Sequence, residues 1–256
     1  MRFGMTSATR STSRAVLVTG AARGLARGIV SDLAGAGYRV AFTFRPDGTP
    51  PDATLAAVQR LGAEAFALAC DHAVEGETAK AVRTVESGFG GIDVLVHAVG
   101  PMLIRRFERS TLDDYRAMFD ANVRSAIEAA SAVLPSMRAK GFGRLVFFGM
   151  NGSHDTIPAR GLSLYAAAKA AVVSFARTLA LEEAKHGITV NAIEPGDIRE
   201  KEIDRAAARA VPAKNPTGHA GSWEDVAYAV RFLVSDEASF LNGVVIPVAG
   251  GWTAHE

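Results

Sequence analysis

At 256 residues, 48% of them apolar and 21% charged, the chain can bury a substantial core and has the composition of an ordinary globular protein. With a formal net charge of +1, nothing in the balance of charge argues for nucleic acid or a membrane surface as partner. The single cysteine, Cys70, excludes an internal disulfide framework, suits a reducing compartment and is expected to be a small apolar residue at a strand end.

The opening residues, MRFGMTSATRSTSR, carry Arg, Ser and Thr but no apolar stretch, so they do not form a secretory signal. Residues 1–13 are expected to be a disordered extension, with Met5 as an alternative start. No continuous apolar run approaches the ~18–20 residues of a membrane span, and the expected location is cytoplasmic.

From there, short apolar runs alternate with longer stretches of helical period. AVLVT (15–19) leads to a helix near 24–36, and YRVAFTF (38–44) to one near 51–61. AEAFALA (63–69) is followed by a helix near 74–88, and IDVLVHA (92–98) by a long one over 111–139. RLVFF (144–148) precedes a helix at 163–185, ITVNAI (188–193) precedes one at 223–235, and GVVIPV (243–248) closes the series. Capping signals support two starts: Ser110-Thr111 before Asp113-Asp114, and Ser222 before Glu224-Asp225. Runs rich in Val, Ile, Leu and Phe suit strands buried on both faces. The alternation predicts one α/β domain over 14–256, a doubly wound Rossmann-type parallel sheet of about seven strands with helices on both faces.

The first strand runs into T-G-A-A-R-G-L-A, residues 19–26. Gly20 and Gly24 allow a tight turn and close approach to a diphosphate. Leu25 is a candidate cofactor contact, and Ala26 permits close helix–strand packing. With G-x-x-x-G-x-A spacing between a strand and a helix, this segment resembles the T-G-x-x-x-G-x-G signature of the short-chain dehydrogenase/reductase family, in particular its 3-oxoacyl-ACP reductases. The resemblance covers essentially residues 14–252.

An NAD-binding chain usually ends its second strand in an acidic residue. Here Phe44 stands there and Arg45 follows, with Arg23 as a second cation, so NADP(H) is the expected cofactor. The resemblance further assigns Asp71 to the adenine, and Gly100, in His97-Ala98-Val99-Gly100, to the cofactor. Both asparagines of the family's N-N-A-G are missing from that segment, and a hydrogen-bonded interior role is expected of His97. No cluster of side chains has metal-ligand spacing, so no metal is expected.

Tyr165 and Lys169 share one face of a helix. The family resemblance makes Tyr165 the proton donor and acceptor, Lys169 its partner and ribose ligand, and Asn122 a relay residue. A nearby ammonium would lower the tyrosine's pKa. Counting thirteen residues back from Tyr165, where the family has a serine, gives Gly152; alignment on the strand gives Met150. Ser153 is the first candidate for the missing hydroxyl, ahead of Asn151 and Asp155. Pro195, Gly196 and Ile198 match cofactor contacts of the family, while Glu200 replaces its usual threonine. Residues 199–221 are expected to form a substrate lid. The expected activity is NADPH-dependent reduction of a ketone or 3-oxoacyl group, with a small carbonyl or alcohol substrate as partner. A homotetramer or dimer through 111–139 and 163–185 is implied by the resemblance. A dinucleotide-binding protein with a sensory role, or an epimerase or dehydratase of the same fold, are the competing readings.

Overall fold

Ala15–Val18 (β1) is buried along its whole length, as a strand covered on both faces must be. It is followed by α1 (Gly24–Gly35), β2 (Arg39–Phe44), α2 (Asp52–Arg60), β3 (Ala65–Ala69), α3 (Glu77–Phe89) and β4 (Val94–His97). Next come α4 (Leu112–Phe119), α5 (Ser125–Lys140), β5 (Gly143–Phe148) and α6 (Ser163–Glu183). The chain closes with β6 (Ile188–Pro195), α7 (Arg205–Arg209), α8 (Trp223–Leu233) and β7 (Val245–Val248). The computed structural model describes residues 13–198 and 203–252. Residues 1–12 of the expected extension, and Glu200 in the expected lid, lie outside them.

The seven strands form one sheet in the order β3-β2-β1-β4-β5-β6-β7, and every neighbouring pair is parallel. The doubly wound sheet expected from the alternation is therefore present. Each face has its own core. Leu17, Leu95, Leu145 and Phe147 meet Val85 of α3, Val133 of α5 and Val172 of α6 on one side. Val16, Phe42, Val146 and Ile193 meet Ile29 of α1 and Val230 of α8 on the other. These apolar faces are what set the helices in place: a buried Val or Leu side chain contributes ~1.5–3 kcal/mol relative to leaving it in water.

The capping boxes at Thr111–Asp114 and Ser222–Asp225 form as the sequence suggests. The long helix expected over 111–139 does not run unbroken. A π turn at Asp120–Arg124 separates α4 from α5. Two side chains explain the break: Asn122 Nδ2 donates to Met118 O at 2.9 Å and Ser125 Oγ to Ala121 O at 2.7 Å, each competing for a carbonyl that an α-helix uses internally. α3 begins later than expected, at Glu77, because Gly76 adopts a left-handed φ of 81°.

The helical stretch 163–186 corrects the expectation that nothing here could span a membrane, since it is long and apolar enough by length and composition. Its apolar residues Ala168, Val172, Ala176 and Ala180 are instead buried against the sheet.

α1 and α8 cross where Gly28 faces the indole of Trp223; a Cβ on Gly28 would stand 2.7 Å from Trp223 Cδ2. Gly28→Ala should therefore lower stability by ~1–3 kcal/mol through overpacking. Urea unfolding followed by tryptophan fluorescence measures this, and an unchanged midpoint would mean that α8 yields without cost.

Candidate active site

Strand order reverses between β1 and β4, so the connections from these two strands diverge and leave a crevice at their carboxyl ends. Gly20 turns out of β1 with φ +68°, and a Cβ there would come within 2.9 Å of Val99 Cγ2 on the opposite wall. Gly24 has φ +65° at the first position of α1. The Arg23 side chain at the N-cap makes no capping hydrogen bond and no acid lies in the first turn of α1, an arrangement suited to an anion. Leu25, half-buried, packs against the core beside it. The cradle is therefore one that any larger residue would fill, and it fits a dinucleotide diphosphate.

Arg23 and Arg45 are both exposed at the rim. Arg45 Nε lies 2.5 Å from Asp47, a carboxylate two residues further on that the strand-end comparison overlooked. Asp71 has its Oδ1 bound by the Ala73 N–H at 2.9 Å, which holds the turn after β3. Cys70 beside it is buried, and burial pushes its thiol up to about 12.

Two buried histidines stand behind the cradle, their rings 5.9 Å apart and edge to face. His97 Nδ1 lies 3.2 Å from Thr19 Oγ1 and its Nε2 3.0 Å from Ser125 Oγ, in the hydrogen-bonded interior role expected of it. His72 lies between Thr43 Oγ1 at 2.7 Å and Thr78 Oγ1 at 2.8 Å, and Thr43 Oγ1 accepts the Gly20 N–H. Burial pushes His72 down to about 4 and His97 well below the ordinary imidazole range. Among the described residues, no three His, Cys, Asp or Glu side chains converge on a point that could hold a metal ion.

Tyr165 and Lys169 lie one turn apart on α6, with Lys169 Nζ 5.7 Å from the centre of the phenol ring. Lys169 is buried and donates to Phe148 O at 2.9 Å. The expected lowering of the tyrosine pKa is not found: burial pushes Tyr165 up to about 12. The ammonium sits over the ring and is engaged by the end of β5, so desolvation of the phenolate decides the sign.

Asn122 is buried in the π turn, donating to Met118 O and, at 3.2 Å, to Pro101 O. Its Oδ1 is buried with no hydrogen-bond partner. A Cβ added to Gly100 would fall 2.5 Å from Lys169 Nζ and 2.7 Å from Asn122 Oδ1. Gly100 thus leaves a polar gap into which a lysine and an orphaned carbonyl oxygen both point. Such an atom costs ~1–3 kcal/mol unless something binds to it.

Ser153 behaves differently from the expectation. Its hydroxyl is buried and donates to Glu194 Oε1 at 2.6 Å, while accepting from the Met150 N–H at 3.1 Å. Its one proton is therefore committed to a carboxylate rather than offered to a substrate carbonyl. Asn151 donates to Trp252 O at 3.0 Å, and Asp155 is exposed beside His154 Nε2 at 3.2 Å. None of the three candidates replaces the missing hydroxyl by an observed contact.

Glu194, at the end of β6, is the residue the sequence reading passed over. It is fully buried and takes four donors: the Ser153 hydroxyl, the N–H groups of Gly152 (2.9 Å) and His154 (2.9 Å), and His154 Nδ1 (2.7 Å). Its signal was present, since a carboxylate inside the run ITVNAIEP must find donors wherever the strand is buried. Beyond it, Pro195 and Gly196 end the strand, and a Cβ on Gly196 would meet Ala249 at 2.6 Å. Ile198 is buried and bridges to Gly221.

A family model described as enoyl-(acyl carrier protein) reductase matches residues 20–253. The chain belongs to the short-chain dehydrogenase/reductase family. It is 33% identical to the 3-oxoacyl-(acyl-carrier-protein) reductase MabA of Mycobacterium tuberculosis over 93% of this chain and 92% of that one. It is 32% identical to the corresponding reductase FabG of Escherichia coli, covering 92% and 95% of the two chains. Among solved structures it resembles a blue fluorescent protein from a metagenomic library in complex with NADPH, with TM-score 0.82, 30% identity and coverage of 93% and 97%. Acetoin dehydrogenase from Enterobacter cloacae superposes with TM-score 0.84 at 28% identity, covering 94% and 96%. As a member of this family the protein is an oxidoreductase that uses a nicotinamide dinucleotide.

Two predictions concern stability. In the folded state His72 binds its proton only near pH 4, whereas a free imidazole does so near ~6.5. The unfolded chain therefore binds more protons across that window. The contribution is complete above ~6.5 and falls away as pH drops toward 4, by about 3 kcal/mol at the limit, with His97 adding in the same direction. The steepness of this loss, measured by urea unfolding between pH 7 and 4, should diminish in His72→Gln. An identical pH slope in the two proteins would contradict the account.

Glu194→Ala orphans the buried donors of Gly152, Ser153 and His154, and should cost about 3 kcal/mol or more. A loss below about 1 kcal/mol would show that the loop re-pairs with water.

Proposed function

We propose that the protein is an NADPH-dependent reductase acting on a ketone, of the 3-oxoacyl or small carbonyl type, with Tyr165 as the proton donor. The observation that carries this reading is the gap at Gly100, where Lys169 Nζ and the unpartnered Asn122 Oδ1 converge beside Tyr165. A binding-only protein has no use for a buried ammonium, a buried orphan acceptor and a desolvated phenol in one place.

The nicotinamide, when bound, supplies the hydride. Gly20, Gly24 and Leu25 would line its diphosphate, and Asp71, Gly100, Pro195, Gly196 and Ile198 the rest of its length. Arg23 and Arg45 would take a 2′-phosphate. The Arg45–Asp47 pair does not oppose this, because a pair so exposed is worth only ~0–1 kcal/mol and rearranges freely. The 3-oxoacyl-(acyl-carrier-protein) reductases among its relatives, and the NADPH in a solved neighbour, support the same assignment.

Tyr165 is protonated at neutral pH and can give its proton to a developing alkoxide, a much stronger base; burial, by raising its pKa, opposes that transfer, and a cation brought closer to the phenol oxygen would favour it. Lys169 holds positive charge over the ring. Asn122, through Oδ1, gives the lysine side of the gap a fixed acceptor. With the Ser153 proton held by Glu194, the Tyr165 hydroxyl carries the orientation of the carbonyl. A cytoplasmic location and a homotetramer belong to the same proposal. Exposed Leu112 and Tyr115 on α4, Ile127 on α5 and Leu181 on α6 give the assembly apolar surface to bury.

Titration by nicotinamide fluorescence should show NADPH binding at least tenfold more tightly than NADH, a gap that Arg45→Asp narrows or inverts. Tyr165→Phe should bind NADPH normally and lose turnover of a 3-oxoacyl thioester by a factor of about 10² or more. Equal affinity for the two dinucleotides, or full turnover by Tyr165→Phe, would overturn the respective part of the reading.

A further inference from the structure

The hydrogen bonds around His97 have a direction that can be worked out atom by atom. Thr19 Oγ1 accepts the Ala98 N–H at 3.0 Å and the Val99 N–H at 3.3 Å. Both of its lone pairs are thereby used, so its proton can only go to His97 Nδ1, 3.2 Å away. At the other side of the ring, the Ser125 hydroxyl gives its proton to Ala121 O at 2.7 Å. Ser125 Oγ must then accept, and the donor is His97 Nε2 at 3.0 Å. The two constraints are independent and require the same tautomer: Nδ1 bare, Nε2 protonated.

What the chain connects gives it meaning. Its first member is the last residue before Gly20, and it also holds the backbone of Ala98 and Val99, the opposite wall of the crevice. Its last member is the carbonyl of Ala121, within the π turn that carries Asn122. The ring is buried and lies 6.1 Å from Phe147, and among the described residues the charged or titratable groups that act on it are His72 and Lys169, both disfavouring its protonation. Among the described residues, no carboxylate acts on the ring to favour the imidazolium.

We propose that neutral His97, fixed as the Nε2–H tautomer, is a positioning residue that ties the dinucleotide cradle at Thr19 and Gly20 to the turn bearing Asn122. A protonated ring would face the Ala98- and Val99-bound Thr19 hydroxyl with a second donor, and the chain would break at that point. The proposal rests on the reading that this crevice holds a nicotinamide dinucleotide, but the tautomer belongs to the chain alone and is measurable without one.

Uniform ¹⁵N labelling of histidine, with His97 assigned by its loss in His97→Asn, decides the first half. The expected spectrum has an unprotonated Nδ1 and a protonated Nε2 that do not titrate between pH 7 and 5. A protonated Nδ1, or a ring that titrates near neutrality, overturns the proposal. The second half uses dinucleotide affinity in variants shown by circular dichroism to be folded. In His97→Asn the amide oxygen can occupy the place of Nδ1 and keep the Thr19 contact, so NADPH affinity should stay within about twofold of the parent. His97→Leu cannot keep it and should bind about tenfold more weakly, the equivalent of one buried hydrogen bond. Both variants lose the link to Ser125, so turnover should fall in both. Equal affinity and turnover in folded His97→Leu would leave the ring with a packing role only and overturn the proposal. If the parent protein bound no dinucleotide, the functional reading would fail while the ¹⁵N spectrum still tested the tautomer.

Discussion

Charge that must be buried, and the donors arranged to receive it, governs the carboxyl end of this sheet. The parallel strands all point one way, and the reversal of order between β1 and β4 opens a crevice where their connections leave. What lines that crevice is largely removed from water. Lys169, Asn122, His97, His72, Ser153 and Glu194 are all buried polar residues at this end. Each is held by named partners, apart from the one atom of Asn122 that points into the gap beside Gly100.

The same condition separates the two kinds of polar residue here. The histidines meet it by staying neutral between hydroxyls of Thr19, Ser125, Thr43 and Thr78. Glu194 meets it by collecting four donors from one loop. Tyr165 meets it by keeping its proton, so that the phenol rather than the phenolate is its resting form. The lysine one turn away does not reverse this, because it lies over the ring face and is drawn to Phe148 O.

Much of this could be read from the sequence, and what escaped has physical reasons. The strand runs and the glycine turn were legible because each depends on local pattern: continuous apolar residues, or a backbone position that only Gly tolerates. The Thr111 and Ser222 caps were legible for the same reason. The π turn was not, since it depends on where Asn122 and Ser125 side chains point, and periodicity alone favours one unbroken helix. The fate of Ser153 was hidden because its partner Glu194 lies on another strand, 41 residues away. Counting back from Tyr165 compares positions along the chain and is blind to a carboxylate arriving from the side. Asp47 shows a smaller form of the same limit: reading only the strand end found Arg45 and missed its neighbour.

The Glu194 arrangement also constrains how such a sequence can change. Gly149 has no room for a side chain, since a Cβ would meet Ser153 Oγ at 2.8 Å and Glu194 Cγ at 2.9 Å. A glutamate placed at the end of this strand before the loop had taken its present path would be a buried charge without donors. The loop without the carboxylate is no better off, since it would leave the buried donors of Gly152 and Ser153 unpaired. The end of β6 and the loop after β5 therefore constrain one another: neither can change its polar groups alone without stranding a buried partner on the other.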